Sequence, residues 1–323
     1  MDLGEIGLLA NPDSTRMKKG IGALRRAAQA HAGLHYRELS DIDDVPHILR
    51  DFADAGVKLL IIAGGDGTIQ SVGTNLVVDR PFEVLPVLAT LPGGHTNMTA
   101  ESLGFAGAPD MLLEDVVAAA VNDSVETVPL PFLSMRISPD KPPVLGIFFG
   151  AATIVRGMQF TRRVIYPLGL PNALSHFLAI GYLLFNAAWP FKTARSPMRR
   201  EPVTVKFGDT ASVSRPYFVL FVTTLDRLIL GIHTSSPVGE GMLRYSSIDY
   251  KASAIFRAVR TFLFGRPTAK LVKGLVRRRA SMIEITSDCP VTLDGEFFDP
   301  QPGQPIRLEA TEPFRFVHLR DED

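Results

Sequence analysis

The chain is short of several things that would assign it quickly. One cysteine, Cys289, stands among 323 residues. That excludes an internal disulfide and a cysteine-based zinc cluster, and it suits a reducing compartment. There is no excess of charge, since 34 Lys and Arg balance 34 Asp and Glu. No whole-chain field therefore draws the protein to nucleic acid or to anionic lipid, and any electrostatic preference must be local. No nucleic-acid motif is visible either, so nucleic acid is not an expected partner. The opening Met1-Asp2-Leu3-Gly4-Glu5 is acidic where a secretory leader is basic. Long uninterrupted apolar runs are missing too. The most apolar stretch, 168–191, is broken by Asn172, Ser175, His176 and Asn186 and punctuated by Pro167, Pro171 and Pro190. It reads as a packed or interfacial helix, not a membrane span, and a cytoplasmic location is expected.

What is present is ordinary globular material: 46% hydrophobic and 21% charged residues, enough at this length to fill two cores. The first third alternates strand-like and helix-like runs. Ile6 to Ala10 reads as a short strand, Lys18 to His31 and Val45 to Ala55 as helices, and Val57 to Ala63 as a strand buried on both faces. Val84 to Ala89 repeats that strand pattern. After Glu126 the texture turns to β-like runs separated by Pro and Gly: Leu133 to Ile137, Val144 to Phe149, Val203 to Phe207, Tyr217 to Thr223, Ser281 to Ile285 and Phe314 to His318. A helical insert at 175–188 and a basic segment at 251–279 interrupt them. No internal repeat or low-complexity tract is visible.

The chemistry concentrates in turns. Gly64-Gly65-Asp66-Gly67-Thr68 lies between the buried strand and a helical run, Ile69 to Val77. Glycines there permit a sharp turn and close approach to a ligand, and the helix start offers free N–H groups to phosphate. The bland alternative is a tight turn with no ligand. Asp66 makes sense beside phosphates if it meets a metal ion or a donor, which favours MgATP over a bare anion. A second turn, Leu91-Pro92-Gly93-Gly94-His95-Thr96-Asn97, leads into Met98 to Leu103. Loops at the carboxyl ends of neighbouring parallel strands build one cleft. Asn11-Pro12-Asp13-Ser14 supplies a third loop at that edge, or else an Asx turn capping the first helix. Late in the chain, Asp294-Gly295-Glu296 places two carboxylates about a glycine, with a solvated hairpin turn as the alternative.

In this order and at these separations, the four motifs resemble the diacylglycerol kinase catalytic-domain family, which includes sphingosine and ceramide kinases and bacterial soluble lipid kinases. The resemblance implies an α/β nucleotide-binding domain like those of NAD kinases and phosphofructokinases, over 1–125 and joined by a final strand within 306–323. A β-sandwich acceptor domain would occupy 126–305. It implies ATP bound by Asn11, Pro12, Ser14, Ser40, Gly64, Gly65, Asp66, Gly67, Thr68, Gly93, Gly94, His95, Thr96 and Asn97. It also places Asp66 in a magnesium network, Glu296 as general base toward a lipid hydroxyl, and Asp294 orienting or sharing that role. Glu240 and the Met242 carbonyl, with help near Pro237, would hold a structural Mg2+. The sequence departs from the family pattern at His95 for Thr, Met98 for Asp, and Thr15 for Gly, so the acceptor lipid (diacylglycerol, ceramide or another) is left open.

A transient membrane contact is expected through the bulky residues from Phe177 to Trp189 with Arg195, Arg199 and Arg200, or through the basic residues from Arg257 to Arg279. Core-facing and solvated helix faces are the alternative. A homodimer is compatible. Two other functions stay open: a kinase of a soluble substrate such as NAD, and a non-catalytic lipid-binding descendant.

Overall fold

The computed structural model describes residues 1–160, 163, 202–228, 232–234, 236–251, 253–255, 257 and 274–319. The expected insert at 175–188, the aromatic stretch to Trp189 with its arginines, and the basic residues within 258–273 lie outside the described residues. The chain forms two compact units, Met1–Phe132 with Pro143–Gly146 and Thr311–Asp323, and Leu133–Pro142 with Ile147–Ala310. Among the described residues no helix is long and apolar enough to cross a membrane.

The first unit is built on a six-stranded sheet. Five of its strands are β1 (Ile6–Ala10), β2 (His35–Glu38), β3 (Leu59–Gly64), β4 (Val87–Pro92) and β5 (Thr127–Leu130), and the sixth comes from the last part of the chain. The helices are α1 (Met17–Ala30), α2 (Val45–Asp54), α3 (Asp66–Val78), α4 (Met98–Ser102) and α5 (Pro109–Val121). β1 and β3 are buried along their whole length, as continuous aliphatic runs are when helices cover both faces of a parallel sheet. β2, β1, β3 and β4 pair in parallel. The fourth strand begins at Val87, three positions later than its apolar run suggests. Val84 and Leu85 are exposed in the preceding loop, 83% and 48% accessible, so aliphatic character there marks a turn and not a buried strand.

The second unit is an antiparallel sheet that curls on itself. It is preceded and followed by segments of the first. β6 (Leu133–Arg136) opens it, and β7 (Val144–Gly146) belongs to the first unit, where the Leu145 amide donates to Thr74 Oγ1 on α3. Then follow β8 (Phe148–Ala152), α6 (Thr153–Phe160), β9 (Pro202–Phe207), β10 (Val213–Thr223), the small pair β11 (Arg227–Leu228) and β12 (Ile232–His233), β13 (Leu243–Asp249), β14 (Leu275–Ala280), β15 (Met282–Thr286), β16 (Val291–Leu293), β17 (Glu296–Phe298) and β18 (Ile306–Ala310). The apolar run 144–149 is thus two strands broken at Ile147.

β10 makes the curl. Val213–Pro216 pairs with β9, while Val219–Thr223 lies between β8 and β13, with a register shift after Tyr217. One long strand therefore serves two sheet segments, the device by which a large antiparallel sheet bends into layers. β19 (Phe314–Val317) returns to the first unit, where it pairs with β4 and β5. Phe132, Phe314 and Phe316 meet edge to face beneath it. The return starts at Thr311, since β18 pairs with β15 and β6.

Candidate active site

β1, β3 and β4 lie side by side in parallel, so the loops after them emerge at one sheet edge, as the sequence order requires. The loop after β1 is an Asx turn: the Asp13 amide donates to Asn11 Oδ1 at 3.0 Å. The same asparagine uses its Nδ2 to reach Thr68 Oγ1 at 2.9 Å, and Ser14 Oγ accepts from the Gly65 amide at 3.2 Å. Pro12 lies in this turn, partly accessible. The Asx turn is therefore present, and its side chains brace the glycine loop.

The two glycine loops press backbone against backbone. A Cβ on Gly94 would stand 2.6 Å from the Gly65 Cα, and one on Gly93 would stand 2.9 Å from the Gly64 Cα. Real Cβ atoms cannot approach so closely, so these glycines are required first for loop-to-loop contact. The Gly93 amide donates to the Gly64 carbonyl at 2.8 Å, and the Gly93 carbonyl accepts from the Arg16 and Met17 amides. Met17, fully buried beneath Gly93, carried no motif that marked it. Asn97, in a left-handed conformation with φ 49°, is 1% exposed. Its side chain accepts from the Gly94 amide at 2.7 Å and donates to the Gly94 carbonyl at 3.0 Å. It shapes the second loop from within. His95 and Thr96 are half-buried on that loop.

Asp66 ties the loops together as well. Its carboxylate accepts from the Met98 amide at 3.2 Å and from the Thr99 amide and hydroxyl at 3.3 Å. It thereby sits on the N-terminus of α4, where helix amides and the helix dipole favour an acid. Burial pushes its carboxyl above the usual aspartate range, against the lowering effect of those hydrogen bonds. Thr99 is a partner that the motif reading did not name. Glu101, one turn along α4, is pushed up by burial, with Arg16 acting to lower it and Asp66 to raise it. Ser40 follows β2, its amide bonded to Asp44 Oδ2 at 3.1 Å.

What this edge offers a ligand is backbone. The amides of Asp66 and Gly67 open α3 and take no partner among the described residues. Helix-start amides at the end of a buried strand, with no side chain on Gly65 or Gly67 to obstruct them, form an anion cradle. The donors present therefore fit a nucleotide phosphate.

The second unit holds the late acidic turn. Asp294 and Gly295 have φ of 49° and 93° between β16 and β17. The Asp294 carboxylate accepts from the Ile147 amide at 3.0 and 3.1 Å and from the Phe148 amide at 2.8 Å. In return the Asp294 amide donates to the Phe148 carbonyl at 2.9 Å. Asp294 thus fixes the hairpin to β8. Glu296 next to it is exposed and takes no partner among the described residues.

Glu240 is exposed in the turn before β13, and Met242 is 40% exposed. The Met242 carbonyl accepts from Arg244 Nη1 at 3.3 Å, and the Gly241 carbonyl from Arg279 Nε at 2.8 Å. Among the described residues no group of three His, Cys, Asp or Glu side chains is arranged to hold a metal.

Residues 5–127 match the diacylglycerol kinase catalytic domain. Over that stretch the chain is similar to the catalytic domains of that kinase family. Among curated relatives it is 24% identical over 320 residues to the diacylglycerol kinase of Bacillus subtilis, covering 97% of this chain and 94% of that one. A Xanthomonas euvesicatoria protein named "Probable lipid kinase YegS-like" is also 24% identical, covering 96% and 93%. Among solved structures, a diacylglycerol kinase from Bacillus anthracis aligns with TM-score 0.63 at 17% identity, over 99% of this chain and 98% of that one. A yeast NADH kinase complexed with NADH aligns with TM-score 0.51 at 9% identity, over 98% and 84%. The structural likenesses establish the fold: an α/β unit followed by a curled antiparallel β unit. The match to a kinase family makes ATP, and usually a divalent metal, the expected cofactors.

Proposed function

We propose that this chain transfers the γ-phosphoryl group of ATP to a hydroxyl of a membrane lipid, with Glu296 as general base. The observation that carries the reading is the pairing of two turns of different character. One, at Gly64–Thr68, presents unpartnered amides to an anion. The other, at Asp294–Glu296, holds an exposed carboxylate on a braced hairpin. Bound MgATP would supply the phosphoryl group and charge neutralisation. The Asp66 and Gly67 amides, with the α3 dipole, would receive phosphate oxygens. Asn11, Ser14, Asn97 and Asp66 keep the loops in register, as their hydrogen bonds already do. The Glu296 carboxylate accepts the hydroxyl proton as the new bond to the γ-phosphorus forms and the bond from that phosphorus to the ADP oxygen breaks, and such a base contributes about 10²–10⁴ in rate.

The lipid as acceptor rests on the relatives' names and on the late Asp-Gly-Glu, which the glycine loops alone do not require. Incubation with labelled ATP and total lipid extract should label a lipid and leave NAD unlabelled. Labelled NADP without labelled lipid would instead establish the soluble-substrate reading. ATP binding with neither product would leave a lipid-binding descendant.

A further inference from the structure

We propose that Arg244 serves as a built-in cation in the second unit, where the Glu240-Gly241-Met242 turn was expected to gather oxygen ligands around Mg2+, and that it is a positioning residue for the Glu296 hairpin. The function of that hairpin rests on the kinase reading above; the placement of the arginine does not. Arg244 lies on β13, its side chain 15% exposed. Nη1 donates to the carbonyls of Thr224 and Met242, and Nη2 to the Asp226 carboxylate. One positive group thus collects two backbone oxygens and one carboxylate from two separate segments, which is the ligand chemistry of a hard divalent ion. The guanidinium takes the Met242 carbonyl, one of the oxygens a metal at this turn would need, and sets its own positive charge beside it.

The turn is built to fit that arrangement. Gly241, at φ 116°, lies so close to the end of β14 that a Cβ would stand 2.3 Å from the Ala280 carbonyl. Arg279 Nε takes the Gly241 carbonyl from the other side. Glu240, the one acid of the turn, is exposed and has no partner among the described residues.

A continuous line of hydrogen bonds leads from Arg244 to the hairpin. Arg244 stands directly opposite Thr223 on β10, and Thr223 directly opposite Phe148 on β8. Two strand spacings, about 10 Å, separate the ends of that row. Arg244 fixes the Thr224 carbonyl. Thr223, fully buried, donates from Oγ1 to the Ile147 carbonyl at 2.8 Å, and the Thr224 amide reaches the same oxygen at 3.3 Å. The amides of Ile147 and Phe148 then hold the Asp294 carboxylate. Loosening the Thr223–Thr224 corner frees Ile147, which supplies one of the two amides that hold the Asp294 carboxylate.

Two measurements on the full chain without nucleotide or lipid test this independently of activity. Thermal unfolding of the wild type should show the same midpoint in EDTA and in millimolar Mg2+. Amide hydrogen exchange at Ile147 and Phe148 should quicken about tenfold in Arg244→Ala and about threefold in Asp226→Asn, with Arg244→Lys between wild type and Arg244→Ala. Arg307→Ala, on β18, should leave both amides unchanged. The milder Asp226→Asn and Arg244→Lys keep the test decisive should Arg244→Ala not fold. A wild-type midpoint that rises with Mg2+ and falls in EDTA would restore a metal to this unit. Unchanged exchange at both amides in Asp226→Asn and Arg244→Lys would remove Arg244 from the hairpin's support.

Discussion

The two acid-and-glycine turns look alike in sequence and differ in whether an acid is left outside. In Gly64–Thr68 the aspartate is turned inward onto the N-terminus of α4, and the outward-facing groups are backbone amides. In Asp294–Glu296 the aspartate is again turned inward, onto β8, but a second acid remains outside. Each turn therefore uses one carboxylate to fix its own geometry, and only the later turn has one to spare. An acid beside a glycine is a brace when backbone amides meet its oxygens, and is left to solvent when they do not.

The largest expected effect separates the two acids of the later turn. Glu296→Gln should lower kcat by about 10²–10⁴ while leaving the unfolding midpoint and ATP binding unchanged, because the side chain is exposed and unpartnered among the described residues. Asp294→Ala should lower activity and also cost about 1–3 kcal/mol of stability, since the Ile147 and Phe148 amides lose their acceptor. Chemical denaturation alongside a kinase assay gives both numbers. Equal stability losses in the two variants would erase the distinction between brace and reagent.

Next comes the contact between the glycine loops. Gly94→Ala places a methyl 2.6 Å from the Gly65 Cα, an overpacking expected to cost about 1–3 kcal/mol and to weaken ATP binding as Asp66 and Gly67 shift. Gly20→Ala, on α1 with nothing within 4 Å of the added methyl, is the contrasting substitution and should be neutral or slightly stabilising. Fluorescence titration with an ATP analogue would show the difference. Unchanged affinity in Gly94→Ala would mean the loops separate without consequence.

These contrasts also mark what could be read beforehand. β1 and β3 were legible because burial on both faces demands aliphatic residues throughout, and parallel pairing then put three loops at one edge. β2 was hidden, since His35–Glu38 is a polar, partly exposed edge strand. β14 was hidden inside a run of arginines. Arg278 lies over the Phe207 ring, 4.7 Å from its centroid, so a residue counted as surface charge helps cover the core. The glycines and acids of the site were found by type, but their orientation was not. Which carboxylate faces inward depends on amides at 98–99 and at 147–148, and every residue except proline carries an amide, so no letter in the sequence marks those donors.

A smaller effect asks whether Asp66 is a brace in solution. Burial raises its carboxyl above the ordinary aspartate range despite the hydrogen bonds it accepts. Above the ordinary value and below the raised one, the folded chain holds a proton that the unfolded chain has released. Stability from this group is then complete below the unfolded value and is lost as pH rises through the folded one. Asp66→Asn keeps an oxygen for only one of the Met98 and Thr99 amides but cannot titrate, so its unfolding free energy should fall less steeply with pH than the wild type's. Denaturant titrations of both proteins at mildly acidic pH, without nucleotide, read that slope. A wild type that gains stability as pH rises through the window would mean that hydrogen bonding outweighs burial. Asp66 would then be a fully ionised carboxylate, available to a cation at the phosphate loop, and the asymmetry between the two turns would reduce to the one extra acid at Glu296.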